Sequence, residues 1–353
     1  MTATMLMEDV LQEQPEEGQS ECDGLYEHWR IVADAGQQLL RVDKFLQDHL
    51  KDTSRNRIQQ AAEAGCIFVD GKPVKSNYRV RPGNVVTLML DRPRHESSIE
   101  PEDLPLEVVY EDDQLLVVNK AAGMVVHPGC GNYTGTLVNA LAWHLKDNLD
   151  YDPNDPDVGL VHRIDKDTSG LLLVAKTPEA KTFLARQFQD KTSRRLYHAL
   201  VWGNLREDTG TVRGNITRDP KDRLRMTVVE YGSEQGKPAV THWKVLERFG
   251  YVTLIECRLE TGRTHQIRAH MKHIGHPLFM DATYGGDQIL WGQRSATYKA
   301  FIHNCQELCP RQALHAKTLG FEHPTTHEAL DFDSELPADL TALLDKWRKR
   351  ERN

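Results

Sequence analysis

Between residues 106 and 350 the apolar residues recur in short runs, either continuous or alternating with polar ones, as is typical of strands. These runs predict strands at Glu107–Tyr110, Leu115–Asn119, Leu171–Ala175, Leu196–Trp202, Ala239–Leu246, Val252–Leu259 and Ala313–Phe321. Helical periodicity predicts helices at Gly135–Leu145, Pro178–Asp190, Thr264–Ile274 and Asp339–Lys349. Because strands and helices do not alternate regularly, the pattern favours an α+β fold over a doubly wound sheet.

A different pattern precedes this region. Apolar positions at the spacing of one helix face predict a helix from about residue 42, and Thr53 or Ser54 is suited to cap a second one. Strands are predicted at Cys66–Val69 and Val85–Leu90, with a tight turn at residues 70–71. Residues 38–95 are therefore predicted to form a small α+β module, and the polar, proline-containing residues 96–105 a linker. The apolar positions of the first helix are Val42, Phe45, Leu46 and Leu50.

Charge is distributed unevenly along the chain. The formal net charge is −8, which alone argues against a nucleic-acid partner. Residues 1–29, however, contain eight acidic residues and no Lys or Arg, whereas residues 41–95 contain eleven bases and six acids. We therefore expect residues 1–35 to form an acidic, disordered tail and the positive module to dock on RNA. An ordinary solvated helical surface would account for the positive module about equally well.

Several classes of protein are disfavoured by what the sequence lacks. No run approaches the roughly 18 apolar residues of a membrane span, and the N-terminus does not resemble a signal peptide. The six cysteines are scattered, which fits a reducing compartment and predicts a cytoplasmic protein. Neither a Walker-type phosphate loop nor a nucleophile elbow occurs, so nucleotide cofactors and serine hydrolysis are poorly supported.

One candidate site lies in Val158–Thr177, where an apolar strand is predicted to run into a polar loop that a second, strongly apolar strand follows. The loop carries His162, Arg163, Asp165 and Asp167 on a scaffold that we expect to be rigid. Catalytic groups are common in such loops. The alternative is a turn in which Asp165 or Asp167 caps the backbone.

A second candidate site is Leu259–Gly275, which crowds bases and histidines into one helical stretch. The histidines suggest zinc, but no carboxylate lies among them, and the neighbouring Arg and Lys side chains would repel a cation. Arginine forks and a helix N-terminus suit phosphate better. A looser zinc-like set fits no strong zinc spacing, so the sequence predicts no metal site. That set is His303, Cys305, Cys309 and His315.

Four segments, in the same order along the chain, resemble the RluA/RluD-type family of pseudouridine synthases over about residues 38–345. The most specific is HRIDKDTSGLLLVAKT at His162–Thr177, in which Ile164 replaces the usual leucine in an apolar position. Residues 41–90 resemble the S-four-like RNA-binding module that often precedes this catalytic domain. The other three segments are EDDQLLVVNKAAGMVVHPGCGN at Glu111–Asn132, LETGRTHQIRAHM at Leu259–Met271 and RQALHAKTLGFEHP at Arg311–Pro324.

The resemblance implies a catalytic domain at residues 106–350 with a mixed, mainly antiparallel sheet, and an RNA pseudouridine synthase that needs no cofactor. It implies that Asp165 is the catalytic carboxylate, that Arg263 pairs with it, and that Tyr197 lies against the target base. Arg163 resembles the arginine that fills the space left by a flipped nucleotide. The residues expected to contact RNA are Arg163, Arg55, Arg57, Lys72, Gln266 and Arg268.

In the family's reaction, the bond between uracil nitrogen 1 and the ribose breaks and the base reattaches through its carbon 5. The aspartate acts either as a nucleophile at the sugar or as a base on a sugar proton, and both roles need an ionised carboxylate. The residues of these motifs favour large-subunit ribosomal RNA, or a ribosomal precursor particle, as the partner. The resemblance also implies that the enzyme is a monomer. The alternatives are transfer RNA as the substrate, a non-catalytic RNA-binding assembly factor, and a metal-dependent nuclease.

Overall fold

The computed structural model of the protein describes residues 26–50, 54–90, 99–128, 132–148, 155, 157–222, 224–293 and 295–351, without the side chains of residues 26–28, 57 and 90. The chain separates into two units, Met1–Ser98 and Ile99–Asn353. Among the described residues, no helix has the length and apolar character needed to cross a membrane.

The N-terminal unit combines two helices with short strands. Its helices are α1 (Val42–His49) and α2 (Arg55–Glu63), and its strands are β1 (Tyr26–Val32), β2 (Leu40–Arg41), β3 (Ile67–Val69), β4 (Lys72–Pro73), β5 (Arg79–Val80) and β6 (Val85–Leu90). Strands β1, β6, β3 and β4 form an antiparallel sheet, and β2 pairs with β5. Phe45, Leu46 and Ile58 from the helices share one core with Val86 and Leu88 from the sheet. The predicted helix pair followed by a hairpin is confirmed.

The structure corrects two predicted boundaries. Strand β1 lies inside the segment predicted as a disordered tail, where it pairs with β6 while Trp29 and Ile31 pack on the core. An acidic composition averaged over that segment conceals the strand.

The predicted linker is wrong in part, because Ile99 packs on the core of the C-terminal unit and the Glu102 carboxylate accepts hydrogen bonds from the Gly135 amide. Residues 1–25 and 91–98 lie outside the described residues.

A mixed sheet of ten strands forms the centre of the C-terminal unit, counted over the part of the chain that the structure describes. The strands are β7 (Val108–Glu111), β8 (Leu115–Lys120), β9 (Ser169–Ala175), β10 (Arg194–Trp202), β11 (Thr209–Arg218), β12 (Met226–Val229), β13 (Lys237–Arg248), β14 (Val252–Leu259), β15 (Leu314–Glu322) and β16 (Ala329–Asp333). The helices are α3 (Leu137–His144), α4 (Pro178–Gln189), α5 (Gln266–His273), α6 (Ala296–Leu308) and α7 (Ala338–Glu351). The sheet order is β12-β11-β13-β14-β10-β15-β9-β8-β7, with β16 paired to β15. Only β15 with β9 is parallel among these pairs, so the predicted α+β class with a mainly antiparallel sheet is confirmed.

The seven strands listed for this unit from its apolar runs are all present, with ends shifted by a few residues at most, and Val252–Leu259 matches at both ends. The sequence did not predict β11, β12, β16 or α6. It also placed a strand before Asp165 that the structure does not contain. Residues 157–159 form a turn there, and Leu160 makes an isolated bridge with Val174.

The parallel pairing of β15 with β9 brings distant parts of the chain together in the sheet. Its register places Ser169 opposite His315 and Gly170 opposite Ala316. Gly170 has φ +118°, and a Cβ at this position would lie 2.2 Å from the Ala316 carbonyl oxygen. Glycine is therefore required for this close approach. As a result, the loop that precedes β9 lies close to β15, which pairs on its other side with β10.

Candidate active site

The loop that precedes β9 is held through its backbone. The Lys166 carbonyl oxygen accepts a hydrogen bond from Lys120 Nζ at 2.8 Å, and the Asp167 carbonyl oxygen accepts one from Arg311 Nη1 at 2.9 Å. Burial lowers the pKa of Lys120 to about 7, although Asp167 and Asp165 favour its charged form. Lys120 ends β8 and Arg311 precedes β15, so distant segments fix the backbone that carries Asp165.

The Asp165 carboxylate faces a buried arginine. Arg268 Nη1 donates a hydrogen bond to Asp165 Oδ2 at 3.0 Å, and the same guanidinium donates to Asp281 from Nε at 2.7 Å and from Nη2 at 2.9 Å. Burial disfavours the charge on Arg268, but Asp281 and Asp165 outweigh this effect and raise the pKa of the guanidinium above its ordinary value. Asp165 therefore has a permanent counter-charge within hydrogen-bonding distance.

Two further side chains border this ion pair. His265 Nε2 lies 4.0 Å from Asp165 Oδ2, and His265 Nδ1 lies 3.2 Å from the Tyr284 hydroxyl. His265 precedes α5 with φ 53°, a left-handed conformation that costs energy for a non-glycine residue and is common at functional sites. Burial lowers the pKa of His265, against the attraction of Asp165. The sequence predicts neither contact, because neither follows from spacing along the chain.

Tyr197 projects from β10 into the same cleft and is only 7% exposed. Burial raises the pKa of its hydroxyl, and Asp165 adds to this rise while Arg195 opposes it. Tyr197 is therefore a neutral phenol that can stack on a base and donate a hydrogen bond. The cleft has a volume of about 90 Å³ and is lined by all three residues predicted to be catalytic, Asp165, Tyr197 and Arg263.

The predicted pairing of Arg263 with Asp165 is nevertheless wrong. Arg263 is exposed, and its Nε donates a hydrogen bond to the Pro238 carbonyl oxygen at 3.2 Å. It precedes α5, whereas Arg268 is the third residue of that helix and lies on its buried face. The helix therefore directs Arg268, and not Arg263, at the carboxylate.

The predicted RNA contacts of this unit occupy different surroundings. Gln266 is buried, and its amide hydrogen-bonds to the Thr261 hydroxyl and the Val240 carbonyl. Arg268 is buried against two carboxylates. Both residues line the cleft, but their polar side-chain atoms are hydrogen-bonded to other protein groups, so their predicted contact with RNA stays a prediction. Arg163 is exposed beside Asp165 at the rim of the cleft.

The remaining predicted RNA contacts belong to the N-terminal unit. Lys72 is exposed on β4. Arg55 begins α2, is 41% exposed, and donates from Nε to the buried Asp43 carboxylate at 3.0 Å. The side chain of Arg57 lies outside the described atoms.

The histidines of the second candidate segment do not converge on one point. His270 is fully buried, His276 Nδ1 lies 2.7 Å from the Trp202 carbonyl oxygen, and His265 faces Asp165. Cys305 and Cys309 of the looser set are buried in an apolar core. Within the described ranges, no group of three or more His, Cys, Asp or Glu side chains is placed to hold a metal ion.

A larger hollow, of about 350 Å³, lies over strands β10, β11, β13 and β14. It is lined by Leu196, whose side chain points to the opposite face of the sheet from that of Tyr197. Its histidine, His242, is already engaged by Glu260 at 2.6 Å and Thr211 at 2.9 Å. The smaller cleft, where a carboxylate, an arginine and a tyrosine converge, is therefore the candidate active site.

Comparison with known proteins identifies the family to which the chain belongs. Residues 114–273 match the family model described as RNA pseudouridylate synthase, and residues 40–86 match the model of the S4 domain. The chain is 45% identical to an uncharacterized RNA pseudouridine synthase of Chlorobaculum parvum, over 88% of this chain and 94% of that protein. It is 43% identical to ribosomal large subunit pseudouridine synthase D of Neisseria meningitidis serogroup B, over 87% of this chain and 79% of that protein. The chain belongs to the RluA/RluD-type family of RNA pseudouridine synthases.

A solved structure agrees with this assignment. Human RNA Pseudouridylate Synthase Domain Containing 1 is 26% identical, with a TM-score of 0.50, and the match covers 71% of this chain and 96% of that one. As a pseudouridine synthase, the protein is an isomerase that acts on RNA. Asp165, Tyr197 and Arg268 all lie within the segment matched by the family model, whereas Asp281 lies beyond it.

Proposed function

We propose that this pseudouridine synthase isomerises specific uridines of large-subunit ribosomal RNA, with Asp165 as its catalytic carboxylate. The position of Asp165 carries the proposal, because its carboxylate lies 3.0 Å from the buried Arg268 guanidinium in a cleft shared with Tyr197. The choice of RNA is supported by the 43% identity to the Neisseria enzyme, whose name specifies the large ribosomal subunit.

The reaction requires the target uridine to leave its stack, at a cost of a few kcal/mol in a paired helix. Asp165 then acts on the ribose, as a nucleophile at carbon 1′ or as a base on a sugar proton, while the bond to uracil nitrogen 1 breaks. The base turns and carbon 5 bonds to carbon 1′. Carbon 5 loses its proton and nitrogen 1 gains one, so the product is an isomer of the substrate. Arg268 neutralises the carboxylate before the reaction, and Tyr197 offers a flat ring on which uracil can stack.

Cationic side chains supply the proposed contacts with RNA. Arg163, beside Asp165, would fill the space left by the flipped nucleotide, and Arg263, at the same cleft, would bind a phosphate. In the N-terminal unit the proposed contacts are Arg55, Arg57 and Lys72. We expect the protein to act as a monomer in the cytoplasm, on ribosomal RNA or its precursor particle.

Asp165→Asn tests the assigned carboxylate, because it keeps the size of the side chain and removes its charge. We expect the variant to fold normally and to form no measurable pseudouridine, assayed as tritium released from RNA labelled at uracil carbon 5. Asp167→Asn is the matched control, since Asp167 lies in the same loop but does not line the cleft. Substantial turnover by Asp165→Asn would mean that another group carries the reaction.

The identity of the RNA needs a separate experiment. Pseudouridines are mapped in total RNA from cells with and without the protein. Loss of particular sites in large-subunit ribosomal RNA is the expected result. Loss confined to transfer RNA would overturn the proposed substrate and leave the proposed chemistry intact.

A further inference from the structure

A carboxylate is buried in the first turn of helix α1, far along the chain from the catalytic motifs. Asp43 is 0% exposed and accepts hydrogen bonds from Arg41 Nε at 3.1 Å and Nη2 at 3.0 Å, Arg55 Nε at 3.0 Å, Gln59 Nε2 at 2.8 Å and the Lys44 amide at 2.9 Å. Burial alone would raise the pKa of Asp43, but Gln59, Arg41 and Arg55 outweigh it and lower the pKa to about 2. Asp43 is therefore an anion throughout the physiological pH range.

The two arginines that Asp43 anchors are not buried with it. The side chains of Arg41 and Arg55 are each 41% exposed. Arg41 Nη2 and Arg55 Nε both lie 3.0 Å from the same Asp43 oxygen, so the two guanidinium groups lie side by side. Asp43 holds one edge of each group. Among the described residues, no acceptor lies within hydrogen-bonding distance of Arg41 Nη1 or of the terminal nitrogens of Arg55.

A third arginine adds positive charge next to this pair. In the pairing of β2 with β5, Arg41 lies directly opposite Arg79, so the two side chains extend on the same face. Like charges in directly opposite positions destabilise a strand pair. Arg79 is exposed, and no acidic side chain pairs with it among the residues that the structure describes. A bound anion would relieve the repulsion.

We propose that Asp43 is a positioning residue that holds Arg41 and Arg55 as a clamp for one RNA phosphate, with Arg79 as the adjacent cation. The proposal rests on the proposed function, in which the N-terminal unit binds the RNA substrate. Guanidinium groups bind phosphate through paired N–H donors on one edge. Anchoring the opposite edge fixes two long side chains before RNA arrives, so that less rotamer entropy is lost on binding.

The RNA affinity of Asp43→Asn distinguishes the proposed clamp from a simple effect of net charge. The substitution removes one negative charge, so if net charge alone governed affinity, RNA would bind more tightly. The clamp predicts the opposite sign, with binding weakened roughly tenfold because both arginines lose their anchor. The full-length protein and its variants are titrated with purified large-subunit ribosomal RNA at several salt concentrations. Circular dichroism and thermal melting establish that each variant is folded.

If Asp43→Asn fails to fold, Arg55→Lys tests the clamp instead. This substitution keeps the positive charge at a partly exposed position and removes only the guanidinium edge. Arg81→Lys is the matched control, since Arg81 is an exposed arginine of the same unit with no contact to Asp43. We expect Arg55→Lys to weaken binding roughly 5- to 10-fold and to raise KM more than it lowers kcat, while Arg81→Lys changes affinity less than about twofold.

Two results would overturn the clamp. One is equal or tighter RNA binding by a folded Asp43→Asn variant, and the other is equal affinity of Arg55→Lys and Arg81→Lys. Failure of the proposed function looks different, because the wild-type protein itself would then form no pseudouridine in this RNA.

Discussion

Replacing Asp281 would test how the arginine beside Asp165 is held. Asp281 is 1% exposed and accepts hydrogen bonds from Arg268 at 2.7 and 2.9 Å. In Asp281→Asn the side chain keeps its size, but it loses its charge and one of its two acceptor oxygens. Breaking a buried ion pair costs about 3–5 kcal/mol, and we expect about 3 kcal/mol because Asp165 still pairs with Arg268. For a unit of this size, the melting temperature should fall by roughly 6–12 °C.

Activity should fall for a separate reason. In Asp281→Asn, Arg268 Nη1 still reaches Asp165, but the fork that fixes the plane of the guanidinium is lost. A misplacement on the order of 1 Å can cost about 100-fold in rate. We therefore expect kcat to fall by roughly 10- to 100-fold at a temperature where the variant is fully folded, with a smaller change in KM.

Asp331→Asn is the matched control for this experiment. Asp331 pairs with Arg194 at 2.6 Å, but the two side chains are 59% and 51% exposed, and exposed pairs contribute only about 0–1 kcal/mol. Calorimetry gives the melting temperatures, and pseudouridine formation at saturating RNA gives kcat. If Asp281→Asn melted within about 2 °C of the control and kept the wild-type kcat, Arg268 would not depend on Asp281.

Two further predictions concern stability. Burial lowers the pKa of His270 and of His315 to about 4. Below a pH of about 6.5 the unfolded chain therefore binds protons that the folded chain does not. As the pH is lowered from about 6.5 to about 4, the free energy of unfolding should fall by up to about 1.4 kcal/mol per pH unit for each histidine. The melting temperature of His315→Gln should depend less steeply on pH than that of the wild-type protein, and an unchanged slope would contradict this. Deleting residues 1–25 should shift the melting temperature by less than about 1 °C, whereas deleting residues 1–32 also removes β1 and should lower it by several degrees. If calorimetry gave equal melting temperatures for the two deletions, β1 would contribute nothing to the stability of the protein.

The fold was predictable where strands are buried and difficult to predict at one end of the sheet, where β12 and β11 lie. Strand β14 lies within the sheet and is mostly buried, so its apolar run predicts both of its ends. Strand β12 forms one edge and β11 lies next to it, and β11 carries glycines and exposed polar residues among its buried ones. Such strands are stabilised by pairing with their neighbours, which a local hydrophobic pattern does not record.

The sequence also predicted which segments form the site better than which side chains pair within it. The motifs correctly brought the Asp165 loop, Tyr197 and helix α5 together. Arg263 and Arg268 lie in the same motif, however, and the start of α5 at Gln266 determines which of them turns inward. Asp281 lies on a separate turn, and no periodicity links it to the arginine that it holds.

Two sets of hydrogen bonds position Asp165: one holds the backbone of its loop and the other holds its carboxylate. On the backbone side, Lys120 and Arg311 donate to the two carbonyls that follow Asp165, and Arg311 is itself held by Asp339 of α7 at 2.7 and 3.0 Å. On the other side, Arg268 meets one carboxylate oxygen and leaves Asp165 Oδ1 without a protein donor among the described residues. Because the protein itself supplies these contacts, we expect little of the RNA-binding energy to be needed to position the carboxylate. That energy is available to extract the uridine from its stack.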